Sequence, residues 1–157
     1  MQSKLELTYR QAAVQNATPV GLVIIQYDIL VRDVRDAIAA LHSKDIEKRC
    51  AALNHAFLVL GCLQSSLDME KGGAAARNLS RFYSYLRGRL LEAQIKGSAE
   101  ILSRQIDLIL QVRQTWQQVD TSPSATASKA AAPLPANVAR HPYGNLAEDR
   151  ASSSWSA

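Results

Sequence analysis

Leu67-Asp68-Met69-Glu70-Lys71-Gly72-Gly73, followed by Asn78-Leu79-Ser80-Arg81-Phe82-Tyr83-Ser84-Tyr85, lies between two long apolar helix patterns. The paired glycines fall at the midpoint of the foldable part of the chain, and the stretch is expected to be the corner of a helical bundle. Upstream, Ile46, Cys50, Leu53, Phe57, Leu60 and Leu67 recur every three or four residues apart from one interruption at Gln64, the spacing of a single helix face. Asp45 is a natural cap for that helix, which is expected to run from about Ile46 to Met69. Downstream, Leu79, Phe82, Leu86, Leu90 and Ala93 form the next stripe, ending at Gly97, a residue suited to closing a helix.

Further out, Thr18-Pro19 starts a helix, because Thr can accept from free backbone amides and Pro loses no intrahelical bond at the first position. Val23, Tyr27, Leu30, Val34, Ile38 and Leu41 carry its stripe to His42, and Leu22, Ile25 and Ile29 give its first half a second apolar face. At the other end Ser98 caps a helix patterned by Leu102, Ile106, Ile109, Val112 and Trp116. Short connections force consecutive helices antiparallel. The expected fold is all-α, an antiparallel up-down four-helix bundle over residues 17–120, with an N-terminal arm or short helix over 1–16. From 121 to 157 Ser, Ala and Pro dominate without periodicity, and this segment is expected to be a disordered tail, with Trp155 an incidental aromatic in it. Gly61, mid-helix, suggests a close helix crossing.

With 47% hydrophobic and 20% charged residues the composition is that of one ordinary globular domain. No apolar run approaches the roughly 20 residues that span a bilayer, and the N-terminus Met1-Gln2-Ser3-Lys4 lacks the form of a secretory signal, so the chain is expected in the cytoplasm. Cys50 and Cys62, about 18 Å apart on one helix, cannot pair and are expected to be reduced core thiols. The net charge of +4 reads as a mildly basic surface, with Lys and Arg dispersed among Asp and Glu, and no nucleic-acid partner is expected. The Glu-x-x-His pairs of metal-binding bundles are missing at His42 and His55, no nucleophile and base are suitably spaced, and Gly72-Gly73 lacks the Lys-Ser/Thr of a phosphate loop. Neither catalysis nor a metal or cofactor is expected.

Projecting the third helix at about 100° per residue from Arg77 places Leu79, Leu86 and Leu90 near 200°, the core, with Arg77, Arg81 and Gly88 on the solvent side. Asn78 and Tyr85 fall beside Phe82 and Arg89 at the core margin, and Leu91 should be wet. An Asn, aromatics and an Arg on one flank suggest contact surface.

These residues carry a family resemblance. Tyr9, then Asn16-Ala17-Thr18-Pro19 and Leu22, then Tyr27-Asp28, Leu67-Asp68, Gly72-Gly73, Asn78-Leu79, Tyr83, Tyr85 and Leu90-Leu91-Glu92-Ala93 resemble, in order and spacing, the flagellar secretion chaperones of the FliS type. Against the family pattern, Gln26 stands for Leu, Ile29 for Gly and Gln94 for Asn, and Ala74-Ala75-Ala76 replaces a more acidic stretch. The resemblance implies a cytoplasmic export chaperone that takes the disordered C-terminal segment of flagellin as helices into apolar grooves, prevents premature polymerisation and aids delivery to the flagellar type III export apparatus. The export gate and other flagellar regulators are implied as further partners, with the chaperone a monomer or weak homodimer. Candidate client contacts are Leu22, Ile25, Tyr27, Ile29, Asn78, Phe82, Tyr85 and Arg89, and Leu7 and Tyr9 in the arm are expected to cover part of the groove when no client is bound. The rival reading is a structural or regulatory bundle that self-associates through the same apolar surface.

Overall fold

A computed structural model describes residues 17–121 together with Gln11, Val14 and Gln15; the tail, Leu7 and Tyr9 lie outside the described residues. Four helices follow in order: α1 (Pro19–His42), α2 (Ile46–Ser65), α3 (Met69–Lys96) and α4 (Ala99–Thr121). Among the described residues there is no strand.

The caps explain most boundaries. Thr18 Oγ1 accepts from Gly21 N at 2.9 Å with Pro19 in the first turn, Asp45 accepts from Lys48 N at 3.0 Å, and Ser98 Oγ accepts from Ile101 N at 3.3 Å. Gly97 closes α3 at φ 62°, in the left-handed region that glycine enters without steric cost.

The expected corner is displaced. α2 stops at Ser65 rather than near Met69: the Leu67 amide turns to the Gln64 carbonyl, the Ser66 hydroxyl donates to the Leu63 carbonyl in its place, and the Ser65 hydroxyl joins the Ser66 amide at the carbonyl of Cys62. Asp68 then accepts from both Glu70 N and Lys71 N, starting α3 ahead of the glycines. The reversal is therefore made at Ser66–Asp68, and Gly73, at φ 51° and ψ −128°, is a break inside α3 that sets its first turn apart from the rest. Gly73→Ala is expected to destabilise the bundle by about 1–3 kcal/mol, because this φ/ψ pair is open to glycine and strained for a residue with a Cβ, read as a lower urea midpoint; an unchanged midpoint would show that the break carries no conformational demand.

Cross-helix pairs fix the packing. Thr18 Oγ1 donates to Asp120 Oδ1 at 2.7 Å, and Arg113 binds Asp28 through Nε and Nη2 at 2.5 and 3.0 Å, so α1 and α4 run antiparallel. Gln64–Ser80 and Gln94–Cys50 set α2 against α3 in the same sense. α1 packs on α2 and α4, and α3 packs on the same two helices from the opposite side. Small residues Ala37, Ala40 and Ala56 let α1 lie close, whereas Phe82, Tyr83 and Leu86 hold α3 further off.

The core joins Tyr27, Leu30 and Val34 to Leu53, Leu60, Phe82, Leu86, Leu102 and Ile109. Cys62 is exposed and Cys50 half-buried against Gln94, so the thiols are free, as expected, but not in the core. The nearest foreign atom to a side chain added at Gly61 is the Arg87 guanidinium at 3.9 Å, so this glycine marks a side chain crossing, not a close approach of helix backbones.

Candidate functional site

The sequence-derived contacts divide into three groups. Tyr27 and Phe82, expected at the margin of the core, are fully buried within it. The Tyr27 hydroxyl meets that of Tyr83 at 2.9 Å across the bundle, from α1 to α3. Burial, and then the charge of and bond to Tyr83, drive the Tyr27 pKa far above that of a free phenol; burial pushes Tyr83 up to about 12. Both phenols are therefore neutral at physiological pH, and the pair is a polar bolt inside an apolar core. Tyr83 falls at about 240° on the same projection, within the core arc, so its place was legible.

Leu22, Ile25 and Ile29 remain accessible along the first half of α1. Leu22 is 38% exposed, while Ile25 and Ile29 are half-buried. Leu22, Ile29 and Asp33 stand two turns and one turn apart and so share a side of α1. Asp33 accepts from His55 Nδ1 of α2 at 2.6 Å, which identifies that side as the α1/α2 seam. Burial raises the pKa of the Asp33 carboxyl, against the opposing pull of His55. Gln26, between Leu22 and Ile29, has a buried Oε1 without a hydrogen-bond partner.

The third group lies on α3. Asn78 is exposed, Tyr85 is half-buried, and Arg89 is half-buried and ion-paired with Glu92, which also holds Lys96 at 2.7 Å. The Lys96 bond and the Arg89 charge hold the Glu92 carboxyl below its usual pKa. With Ser80 and Gln94 facing α2, a rotation of about 100° per residue puts Asn78, Tyr85 and Arg89 on the α4 flank. Ser84, Tyr85, Gly88, Arg89 and Glu92 line a shallow depression there. The structure does not bring this group to the α1 residues, because α1 and α3 sit diagonally in the bundle. It offers two separate apolar surfaces, each with polar groups beside it, rather than one groove.

Chemistry of another kind has little to work with. Among the described residues no group of three or more His, Cys, Asp or Glu is gathered, and no helix is long and apolar enough to cross a membrane. The arrangement suits side-chain burial by a partner helix.

The family model for flagellar protein FliS matches residues 1–123. The chain belongs to the FliS family. It is 31% identical over 117 residues to the flagellar secretion chaperone FliS of Salmonella typhimurium, covering 74% of this chain and 85% of that one. Flagellar secretion chaperone FliSB of Pseudomonas aeruginosa is 28% identical over 109 residues (69% and 86%), and the FliS of Bacillus subtilis 26% over 110 (70% and 81%). The FliS match takes in all four helices and stops two residues past α4, so residues 124–157 extend beyond it. Within the FliS match, the Tyr27–Tyr83 bond joins the two stretches that carried the resemblance.

Proposed function

We propose that this protein is a non-enzymatic export chaperone that receives the C-terminal segment of flagellin as amphipathic helices on the bundle surface, keeps it from polymerising and releases it to the flagellar export apparatus. The observation that carries the reading is the accessible apolar row Leu22, Ile25 and Ile29 on α1, in a chain whose relatives are named flagellar secretion chaperones. A client helix laid along that row buries its own apolar face, the mode in which helices dock in grooves. Ordering the client costs conformational entropy, so affinity stays moderate despite a large contact, which suits a cargo that must be released. Asn78, Tyr85 and Arg89 give the client's next segment a second surface on α3, and the arm bearing Leu7 and Tyr9 covers the first surface between clients.

Titrating the full chain with a flagellin C-terminal peptide tests this. A 1:1 complex with a gain in helicity is expected, weakened about tenfold or more by Leu22→Glu/Ile29→Glu, since burying a charge in an apolar contact is strongly unfavourable. Homodimerisation without peptide uptake, or an affinity the double substitution leaves unchanged, would overturn the reading.

A further inference from the structure

α3 differs electrically from the rest of the molecule. Six of its side chains are Lys or Arg and two are Glu, a net charge equal to the +4 of the whole chain, so every other segment together is neutral. From Lys71 to Leu91 there is no acidic residue. Charged residues occur along the whole chain, but the net positive excess falls on this one helix.

Its outward side has an order along the axis. At about 100° per residue, Arg77, Arg81, Ser84, Gly88, Leu91 and Ile95 fall within about 40° of one line, opposite the core stripe. Arg77 and Arg81 are exposed and have no ion-pair partner among the described residues. Leu91 is 50% and Ile95 78% exposed at the other end. Between them is Gly88, mid-helix, exposed, and with nothing within 4 Å of where a side chain would be. A glycine in an exposed helix interior costs about 1 kcal/mol relative to alanine, and no neighbour among the described residues requires it. Ser84, one turn earlier, extends the same low ground. The strip runs about 27 Å at 1.5 Å per residue: basic at one end, apolar at the other, and without bulk at the centre.

We infer that the outer face of α3 docks an acidic amphipathic helix from a partner protein, with its carboxylates over Arg77 and Arg81, its apolar turns over Leu91 and Ile95, and its backbone closest at Gly88. The charge rule selects this occupant. A second copy of the chain brings only Glu92 to this face against a repeated pair of arginines. A nucleic acid would meet two free arginines and gain nothing from Leu91 and Ile95, whereas affinity for phosphate backbones grows with the number of charges neutralised. The site is distinct from the α1/α2 seam assigned to flagellin and borders the client's second surface only at Ser84 and Gly88, so its arginine end is free while the seam is occupied.

The probe is a helical peptide of about 20 residues with Glu at i, i+4 spacing in one half and Leu at i, i+3 spacing in the other, titrated into the full chain by calorimetry. Micromolar binding is expected, weakening as salt rises and lost when the peptide's Glu are replaced by Lys. Arg77→Glu/Arg81→Glu and, separately, Gly88→Leu should each weaken it about tenfold or more. Gly88→Leu should at the same time hold or raise the melting temperature, because Leu is the better helix former, which separates loss of docking from loss of fold. The flagellin peptide should bind Arg77→Glu/Arg81→Glu as tightly as the parent, because neither arginine is among the residues assigned to flagellin. The inference is overturned if the probe binds the variants as well as the parent, if the Lys peptide binds equally, if a single-stranded RNA or a phosphatidylserine vesicle outcompetes the probe, or if flagellin affinity falls in parallel with it in Arg77→Glu/Arg81→Glu.

Discussion

Tyr27→Ala is expected to destabilise the bundle by about 3–5 kcal/mol, the range for removing a large aromatic from a packed core. That is a large part of the 5–15 kcal/mol available to a typical domain, so the variant should be substantially unfolded in mild denaturant. Two effects combine. The ring of Tyr27 fills the centre of the bundle between α1 and α3, and its hydroxyl is bonded to that of Tyr83. Tyr27→Phe isolates the second effect: it keeps the ring and leaves the Tyr83 hydroxyl buried without its partner, at about 1–3 kcal/mol. Adding Tyr83→Phe should recover part of that loss, because a matched apolar pair has no orphaned polar group. Urea denaturation of the two single variants and the double gives the coupling directly. Strict additivity would mean that the hydroxyl pair contributes nothing.

The second large effect concerns Asp33. Its side chain is 6% exposed and its hydrogen bond is to His55, whose own side chain is 52% exposed. Breaking a fully buried pair costs about 3–5 kcal/mol; with His55 half in solvent, about 2 kcal/mol is expected for His55→Ala at neutral pH. The pH dependence follows from the sign of the shift. Burial raises the folded-state pKa of Asp33, while His55 and, on the same helix, Arg32 oppose the rise and Asp36 adds to it. A raised carboxyl pKa means that the folded state holds its proton more tightly than the unfolded chain, so this group's contribution is fully present below the unfolded value near 4 and is lost as pH rises through the folded value. Removing His55 lifts the folded pKa further. The difference between variant and parent should therefore be largest near neutral pH and shrink toward zero below about pH 4, where Asp33 is protonated in both. Thermal melts of the two proteins from pH 4 to 8 measure it; a constant difference would place the effect in packing rather than in charge.

Much of this molecule could be read from local chemistry. The ends set by one dominant signal came out directly: Thr18-Pro19 for α1, Asp45 for α2, and Gly97-Ser98 between α3 and α4. The α2/α3 boundary did not, because three weak signals compete there. Two serine hydroxyls end α2 early and the Asp68 carboxylate starts α3 early, while the glycines, the conspicuous feature of the sequence, are absorbed into a helix break. Tyr27 and Phe82 illustrate a different limit. A projection gives each residue an angle but not a depth, and an aromatic near a core margin can turn fully inward, as both do. The Asp33–His55 contact joins residues on different helices, and its register depends on the turn length at Ser43–Asp45, which no single-helix pattern contains. The exposed Leu91 was legible because depth does not matter for a residue pointing directly away from the core.

The bond from Thr18 to Asp120 has a geometric consequence of its own. It brings the points where the polypeptide enters and leaves the helical body within one hydrogen bond of each other, so both terminal extensions, residues 1–16 and 122–157, begin from the same pole. Among the described residues the opposite pole is made of the turns Ser43–Asp45 and Gly97–Ser98, which lie close enough that a side chain at Gly97 would touch Leu41 and Arg49. The four-helix body is thus polar along its axis, with both chain exits at one end and a blunt cap of turns at the other. A dye or tether placed at Lys44 would sit a full helix length, about 35 Å, from either chain exit.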